Sequence, residues 1–268
     1  MCEVRLTLLP VDCLRPHLGE AARLLPAERY EKLVRYRQEE DRLRCFASSL
    51  LLQKAAQGRR ISYNEAGKPL AEGLFFNLSH SEDYAVLAEA DGPVGVDIEK
   101  MVTYGDWIRE ALTAREYEWM LRGKDERERQ ERFYRLWTRK ESLVKCEGQG
   151  FALSPGEIST MPVEGARLIA YAGKTYGLCS HIFHGYMLSA ALQDKQPLIR
   201  LREWHAECFI LGDGCSKMES EESCHRRQWN RVSIFPKLAR AESAVRGSSS
   251  MAEQGKIKFS GRECIKNF

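Results

Sequence analysis

The stretch Val94-Gly95-Val96-Asp97-Ile98-Glu99-Lys100 decides how this sequence should fold and where its chemistry lies. Its branched apolar residues predict a buried β-strand, on which successive side chains point to opposite faces. Asp97 and Glu99 therefore share one face, while Val96 and Ile98 share the other. Two carboxylates side by side repel one another unless a positive group lies between them. We therefore expect this strand to meet a cation.

A second segment, about forty residues later, adds a third carboxylate and a possible cation. Residues 136–145 (LWTRKESLVK) predict a helix on which Glu141 and Lys145 are one turn apart and share a face. An ordinary surface ion pair is one interpretation of these two residues. Residues 77–80 (NLSH) are predicted to end a strand and to place Ser79, His80 and backbone N–H groups in a turn. Beside carboxylates, a histidine and a lysine suit the binding of phosphate.

Carboxylates that converge from a strand and a helix favour a hard divalent cation with oxygen ligands. We expect Mg²⁺ to be held by Asp97, Glu99 and Glu141. Because Mg²⁺ is commonly completed by substrate phosphates, a phosphorylated substrate is implied. The sequence has neither a P-loop nor a kinase-type glycine loop, so a familiar nucleotide triphosphatase or kinase is not indicated. The cationic side chains available for phosphates include Arg29, Lys32, Arg44 and Lys68.

Composition indicates an ordinary globular protein. The chain has 268 residues, of which 43% are hydrophobic and 29% charged, enough for one large domain or two small ones. A net charge of +3 gives no basic excess that would demand nucleic acid, and no apolar run reaches the roughly 18 residues of a membrane span. The polar start argues against a signal peptide. The nine cysteines form no C-x-x-C pair, which predicts reduced thiols and a cytoplasmic location.

Periodicity and turn signals predict the order of elements. Residues 26–57 are expected to form one helix, and residues 84–99 a hairpin that turns at Asp91-Gly92-Pro93. A helix at residues 113–121 should be followed by a charged loop at 122–131 and a second helix. Three strands should then complete the unit.

The two halves of this pattern resemble one another. AERYEKLVRY is echoed by AREYEWMLRG, and SEDYAVLAEA by FHGYMLSAAL, in the same order. A duplicated α+β unit is therefore one interpretation, and chance similarity of helices is another. The C-terminal segment is rich in serine, glycine and charge and lacks sustained periodicity, which predicts disorder. The predicted units are residues 1–101, residues 102–205 and a largely disordered tail, 206–268.

At this point the motifs resemble a known family. FNLSHSEDYAVLA, VGVDIEK and FYRLWTRKESLVKCEGQGF together look like the long, Sfp-type 4′-phosphopantetheinyl transferases, with weaker similarity at GKP and in the basic segment 28–44. The resemblance covers about residues 4–205. It implies an α+β pseudo-dimer, monomeric in solution, whose two similar subdomains clasp coenzyme A in the cleft between them. It also implies an enzyme that moves the 4′-phosphopantetheine group to a serine of an apo acyl or peptidyl carrier protein, as in secondary metabolite biosynthesis, releasing adenosine 3′,5′-bisphosphate.

The resemblance also implies roles for individual residues. Asp97, Glu99 and Glu141 would hold Mg²⁺ on the pyrophosphate. Glu141 would activate the attacking serine, directly or through water, and Lys145 would offset charge on the pyrophosphate as the bond breaks. The implied coenzyme A contacts are Ser79 and His80 at the phosphates, Arg29, Lys32 and Arg44 around the 3′-phosphate, and Lys68 on the adenine side.

Three other functions stay open at this point: a non-catalytic coenzyme A or carrier-binding module, a Mg²⁺-dependent phosphohydrolase, and an interaction protein. For the carrier surface, the helical segment 103–129 is the candidate, with Trp107, Trp119, Met120 and Leu121 as contacts. The alternative for these apolar side chains is that they face the core.

Overall fold

The fold is of the predicted α+β class. A computed structural model describes residues 2–150, 154–163 and 168–203. The predicted tail, residues 206–268, lies outside the described residues. Across the three described ranges, no helix combines the length and apolar character that a bilayer crossing needs.

The elements follow one another in two series of helices and strands. The strands are β1 (Cys2–Pro10), β2 (Ile61–Tyr63), β3 (Pro69–Ala71), β4 (Phe75–Ser81), β5 (Tyr84–Ala90), β6 (Val94–Lys100), β7 (Ile169–Tyr171), β8 (Lys174–Phe183), β9 (Tyr186–Gln193) and β10 (Pro197–Glu203). The α-helices are α1 (Ala21–Leu24), α2 (Ala27–Val34), α3 (Glu39–Ala56), α4 (Ile108–Ala111), α5 (Ala114–Leu121) and α6 (Glu126–Glu147). Short 3₁₀ helices lie at Asp12–Glu20 and Pro155–Glu157.

Two four-stranded sheets carry the fold. Their strand orders are β10-β1-β5-β4 and β6-β9-β8-β7, and β2 and β3 form a separate pair. Neighbouring strands are antiparallel except β1 and β10, which run parallel with Cys2 opposite Pro197. Strand β10, which the sequence pattern did not predict, therefore joins the end of the second series to the first sheet.

Apolar side chains from both sheets form one buried cluster. Val4, Leu6 and Leu8 of β1 meet Val96 of β6 and Leu188 of β9 in it. The long helices cover the outer faces: α3 packs on β4 and β5, and α6 packs on β6, β8 and β9. The side chains of β6 that point away from this cluster, those of Asp97 and Glu99 included, consequently face the layer that contains α6.

The predicted hairpin at residues 84–99 is wrong. Strand β5 pairs with β1 and β4, whereas β6 pairs with β9, with Val94 opposite Leu192. The Asp91-Gly92-Pro93 turn therefore leads the chain from one sheet into the other. Both strands are apolar along most of their length, and local turn chemistry cannot tell which of several apolar strands each will pair with.

Two helix boundaries also differ from the prediction. The single helix expected at residues 26–57 is interrupted, because Gln38 is extended (φ −83°, ψ 142°), and α3 starts afresh with an acidic first turn. The charged loop expected at residues 122–131 is mostly helical, since α6 begins at Glu126. Asp125 caps this helix by accepting a hydrogen bond from the Glu128 N–H, and an aspartate in this position is an N-cap signal that the sequence contains. Helix α5 agrees with the prediction and has a full capping box at Thr113.

Candidate active site

The cation beside the β6 carboxylates is supplied by the chain itself. Asp97 is 2% exposed, and its Oδ1 accepts hydrogen bonds from Lys145 Nζ at 2.7 Å and from Ser79 Oγ at 2.9 Å. Lys145 Nζ also donates to Ser79 Oγ at 3.0 Å, which closes a triangle of three side chains. Burial alone would lower the pKa of Lys145, but Asp97, Glu141 and Glu99 together hold that pKa above its usual value. The ammonium is therefore charged at neutral pH.

Helix α6 reaches these carboxylates because position 95 has no side chain. A Cβ atom built on Gly95 would overlap the backbone of Ser142 and Cys146, and would lie 2.9 Å from the Cys146 Cα. The helix thus packs directly on the backbone of β6. The sequence pattern alone assigned Gly95 no role, although this glycine lies between Val94 and Val96 in the carboxylate-bearing segment. Its small size is the reason that Asp97 on the strand meets Lys145 on the helix.

Substitution of Gly95 tests this packing. Gly95→Ala should lower the free energy of unfolding by about 1–3 kcal/mol, the usual cost of overpacking, because backbone atoms rather than a flexible side chain must move. The measurement is urea denaturation followed by circular dichroism. Gly92→Ala is the matched control, since a Cβ there meets nothing within 4 Å. Equal stability of the two variants would contradict the close approach of α6 to β6.

Glu99 and Glu141 are held in surroundings that disfavour their charged forms. Burial, followed by the charge of Asp97, raises the pKa of Glu99 to about 8 and that of Glu141 to about 7. Glu99 Oε2 accepts a hydrogen bond from Ser81 Oγ at 3.0 Å. Glu141 Oε1 and Asp97 Oδ2 are buried and have no hydrogen-bond partner. Buried oxygens of this kind indicate a missing donor or cation.

The donor chemistry of this cluster fits Mg²⁺. Carboxylate oxygens are its preferred protein ligands, and two of them here lack any partner. In the part of the chain that the structure describes, however, no group of three or more His, Cys, Asp and Glu side chains is arranged so that it could hold a metal ion. The ammonium of Lys145 lies against Asp97 instead. The three-carboxylate metal site therefore stays a prediction.

The NLSH segment is not in a turn. Strand β4 continues through Ser81, and its alternate side chains Asn77, Ser79 and Ser81 line up along β6. Asn77 Oδ1 accepts from the Val96 N–H at 2.9 Å, while the two serines donate to Asp97 and Glu99. Strands β4 and β6 belong to different sheets and are not paired through their backbones. The two sheets are therefore joined here by hydrogen bonds of these side chains. Asn77 and Ser81 were missed in the sequence, although their i, i+2, i+4 spacing with Ser79 could have revealed a shared face.

His80 lies among several cationic groups. Burial, and then the charges of Lys145, Arg44 and Lys32, lower its pKa to about 4, so the imidazole is neutral at neutral pH. Lys32 itself has a lowered pKa, first because of burial and then because of Arg29. Positive groups gathered in this way favour an anionic ligand.

Arg29 of α2 and Arg44 of α3 each have a close side-chain partner. Arg29 Nε donates to Ser49 Oγ at 2.9 Å, and Ser49 in turn donates to the Cys45 carbonyl at 2.7 Å. Arg44 forms an ion pair with Asp41 at 2.6 Å. Burial raises the pKa of the Cys45 thiol, against the opposing charge of Arg29, so this thiol is protonated at neutral pH.

Lys68 lies at the C-terminal end of α6. Its ammonium donates to the carbonyl oxygens of Lys145 at 2.7 Å, Cys146 at 3.3 Å and Val94 at 3.4 Å. Its pKa is lowered by burial. The side chain that we expected on the adenine side of coenzyme A therefore has its charged end directed at backbone carbonyls.

One of the four predicted carrier contacts is buried, and the other three are partly or half exposed. Met120 is 1% exposed and lies in a cluster with Ile108 and Phe133, and the ring of Trp107 packs edge-on against that of Phe133. Of the four apolar residues proposed, Leu121 is half exposed, and the ring of Trp119 is covered by the Arg132 guanidinium at 4.7 Å. Met120 as a carrier contact is thus wrong, because α5 turns this side chain inward, whereas Trp107, Trp119 and Leu121 stay predictions.

Comparison with known proteins identifies the family. The model of the 4′-phosphopantetheinyl transferase superfamily matches residues 93–198. The 4′-phosphopantetheinyl transferase HetI of Nostoc sp. is 31% identical over 185 residues, which cover 62% of this chain and 78% of that protein. The chain belongs to the 4′-phosphopantetheinyl transferase superfamily. This confirms the resemblance drawn from the motifs and makes the protein an enzyme of the transferase class.

Further relatives support the Sfp type. The 4′-phosphopantetheinyl transferase ffp of Bacillus subtilis is 33% identical over 153 residues, covering 53% of this transferase and 68% of the relative. The 4′-phosphopantetheinyl transferase Sfp of Bacillus subtilis is 33% identical over 138 residues, which cover 47% of this chain and 61% of Sfp. The region matched by the family model contains Asp97, Glu99, Glu141 and Lys145, whereas Ser79 and His80 precede it.

Proposed function

We propose that this enzyme transfers the 4′-phosphopantetheine group from coenzyme A to a serine hydroxyl of an apo acyl or peptidyl carrier protein. Adenosine 3′,5′-bisphosphate is the second product, and the reaction depends on Mg²⁺. Membership of the superfamily supports the transfer. The observation that carries the mechanism is the ion pair of the Lys145 ammonium with buried Asp97, whose charge, together with the charges of Glu141 and Glu99, opposes the effect of burial and raises the pKa of Lys145.

In this proposal Asp97, Glu99 and Glu141 hold Mg²⁺, which when bound neutralises charge on the pyrophosphate. Glu141 takes the proton of the carrier serine, directly or through a water molecule. Without the metal, burial and the charge of Asp97 raise the pKa of Glu141 to about 7, and bound Mg²⁺ would lower that pKa and keep the carboxylate ionised, as a general base requires. Lys145 moves no proton. Its fixed positive charge stabilises the negative charge that develops on the leaving phosphate.

The cationic side chains of the first subdomain serve the phosphates of coenzyme A. Arg29, Lys32 and Arg44 are proposed around the 3′-phosphate, and Ser79 and His80 at the other phosphates. Burial is the first cause of the lowered pKa values of Lys32 and His80. Positive neighbours are the second cause, Arg29 for Lys32, and Lys145, Arg44 and Lys32 for His80, and these gathered charges support an anion here. The position of Lys68 on the adenine side of coenzyme A stays a prediction. With its ammonium on backbone carbonyls, it would contact the base through its carbon chain or its backbone.

The proposal includes a monomeric pseudo-dimer with units at residues 1–101 and 102–205, and the order of elements supports the internal repeat. Each half has an eight-residue helix, a longer helix and then an antiparallel hairpin: α2, α3 and β4–β5 in one, and α5, α6 and β8–β9 in the other. Both hairpins turn through a residue with positive φ, Glu82 and His184. Strands β6 and β10 depart from these bounds, because β6 pairs with β9 of the second unit and β10 pairs with β1 of the first.

Mass spectrometry of the intact carrier tests the proposal. An apo acyl carrier protein and an apo peptidyl carrier domain are each incubated with this enzyme, coenzyme A and Mg²⁺, with EDTA in a parallel reaction. We expect a mass gain of one phosphopantetheine on at least one carrier, and none with EDTA. No gain on either carrier, with coenzyme A still bound, would instead favour a non-catalytic binding module. Release of phosphate without any carrier would favour a phosphohydrolase.

A further inference from the structure

A short loop between β2 and β3 holds the end of the helix that carries Glu141 and Lys145. We call residues 64–68 the clamp loop. Its backbone is fixed by its own hydrogen bonds: Asn64 N–H donates to the Lys68 carbonyl at 3.1 Å, and Lys68 N–H donates to Asn64 Oδ1 at 2.8 Å. Gly67, with φ +80°, closes the turn by donating to the Asn64 carbonyl at 2.9 Å. The backbone of the clamp loop is therefore held in one conformation, which fixes the positions from which the side chains of Asn64 and Lys68 extend.

Both side chains reach the C-terminal end of α6. Lys68 Nζ donates to the carbonyls of Lys145 and Cys146, and Asn64 Nδ2 donates to the carbonyl of Gly148, the residue that ends the helix with φ +86°. The last carbonyls of a helix have no partner within it, and they form the negative end of its dipole. An ammonium and an amide N–H₂ group are suitable donors for them. The clamp loop thus supplies, from the first half of the chain, the cap of a helix in the second half.

Lys68 also touches the strand that faces this helix. Its third contact is the Val94 carbonyl at 3.4 Å, at the start of β6. A lysine ammonium has three N–H donors, and here three carbonyl oxygens accept from it. One partly buried cation therefore joins the strand of Asp97 and Glu99 to the helix of Glu141 and Lys145, and its shortest hydrogen bond is to the backbone carbonyl of Lys145 itself.

We propose that Lys68 and Asn64 are positioning residues, which hold the end of α6 and thereby set Lys145 against Asp97. The role rests on the proposed transfer function, but it differs from coenzyme A binding. A phosphate of the substrate would have to draw the ammonium away from three carbonyls that surround it. Loss of the clamp should displace Lys145 and Glu141 while leaving the cations of α2 and α3 in place.

The variants Lys68→Met and Asn64→Ala separate the two roles of this loop. We expect kcat for carrier modification to fall about 10- to 100-fold, because small misplacements of catalytic groups cost up to about 100-fold. The Kd for adenosine 3′,5′-bisphosphate, measured by titration calorimetry, should stay within about twofold of the wild-type value. Lys68→Arg, which keeps a cationic donor, should recover part of kcat. Glu65→Gln is the control, since Glu65 is exposed in the same loop.

The rate of amide hydrogen exchange in α6 tests the role of the clamp loop independently of catalysis. In Lys68→Met and Asn64→Ala, exchange should quicken at the last turn of α6, including the Gly148 amide, and should be unchanged in α3. Unchanged exchange at α6 would overturn the proposal. So would an unchanged kcat at saturating coenzyme A combined with a tenfold weaker Kd for adenosine 3′,5′-bisphosphate. If the wild-type protein modified no carrier, the proposed function would fail, while the exchange experiment would still decide whether the loop holds the helix.

Discussion

Replacement of Asp97 by asparagine should lower kcat for carrier modification by about 10²–10³-fold, the usual loss when one group that stabilises transition-state charge is removed. Asparagine keeps the shape and can still accept from Ser79 Oγ, but it loses the charge that holds the Lys145 ammonium. It also loses a proposed ligand of Mg²⁺. The rate of holo-carrier formation, measured by intact mass at saturating coenzyme A, reports the change.

Two comparisons show whether the loss arises in the active site. Asp91→Asn changes an exposed aspartate of the turn before β6 and should leave kcat within about twofold of wild type. Circular dichroism should show that Asp97→Asn is folded. If a folded Asp97→Asn variant kept more than a third of the wild-type kcat, the assignment of this carboxylate to catalysis would be wrong.

The second large effect is expected on the free energy of unfolding, when Lys140, the residue before Glu141, is replaced. Lys140 and Glu116 form an ion pair at 2.7 Å, and both side chains are fully buried. Lys140 Nζ also donates to the carbonyls of Ala111 and Pro155, and Glu116 accepts from the Thr160 N–H and Oγ1. Lys140→Met should reduce the free energy of unfolding by about 3–5 kcal/mol, because it leaves the Glu116 carboxylate buried without its counter-ion.

Urea denaturation of a small set of variants measures this network. The double variant Lys140→Met/Glu116→Leu should be more stable than Lys140→Met alone, since an apolar pair leaves no buried charge. Arg127→Ala, which breaks an exposed pair with Glu131 on the same helix, should change stability by about 1 kcal/mol or less. A Lys140→Met variant no less stable than Arg127→Ala would show that the buried pair contributes nothing.

The local signals in the sequence account for most of the correct predictions. Alternation along β6 predicted that Asp97 and Glu99 share a face, and the i, i+4 spacing predicted the same for Glu141 and Lys145. Both features depend on geometry within a single element. The same is true of α5, whose capping box is contained in four consecutive residues. The family resemblance rested on these same short motifs.

The incorrect predictions concern contacts between elements distant in the chain. Nothing in the sequence indicated that β5 and β6 enter different sheets, since strand pairing is set by which apolar faces are buried together. The same holds for Ser79, whose hydroxyl is directed at Asp97 by a strand of the other sheet. For Met120 the sequence left both the carrier surface and the core open, and packing with Phe133 decides that this side chain is internal.

The sequence by itself determined that this chain carries three carboxylates and a lysine in the spacing of its superfamily, because that information lies within single strands and helices. Only the tertiary structure decided how the four groups meet. Gly95 lets α6 lie on the backbone of β6, the serines of β4 hold the carboxylates, and Lys68 holds the end of the helix. Each of these depends on close approach between elements that are far apart in the chain. Such distances are set by how the whole core packs.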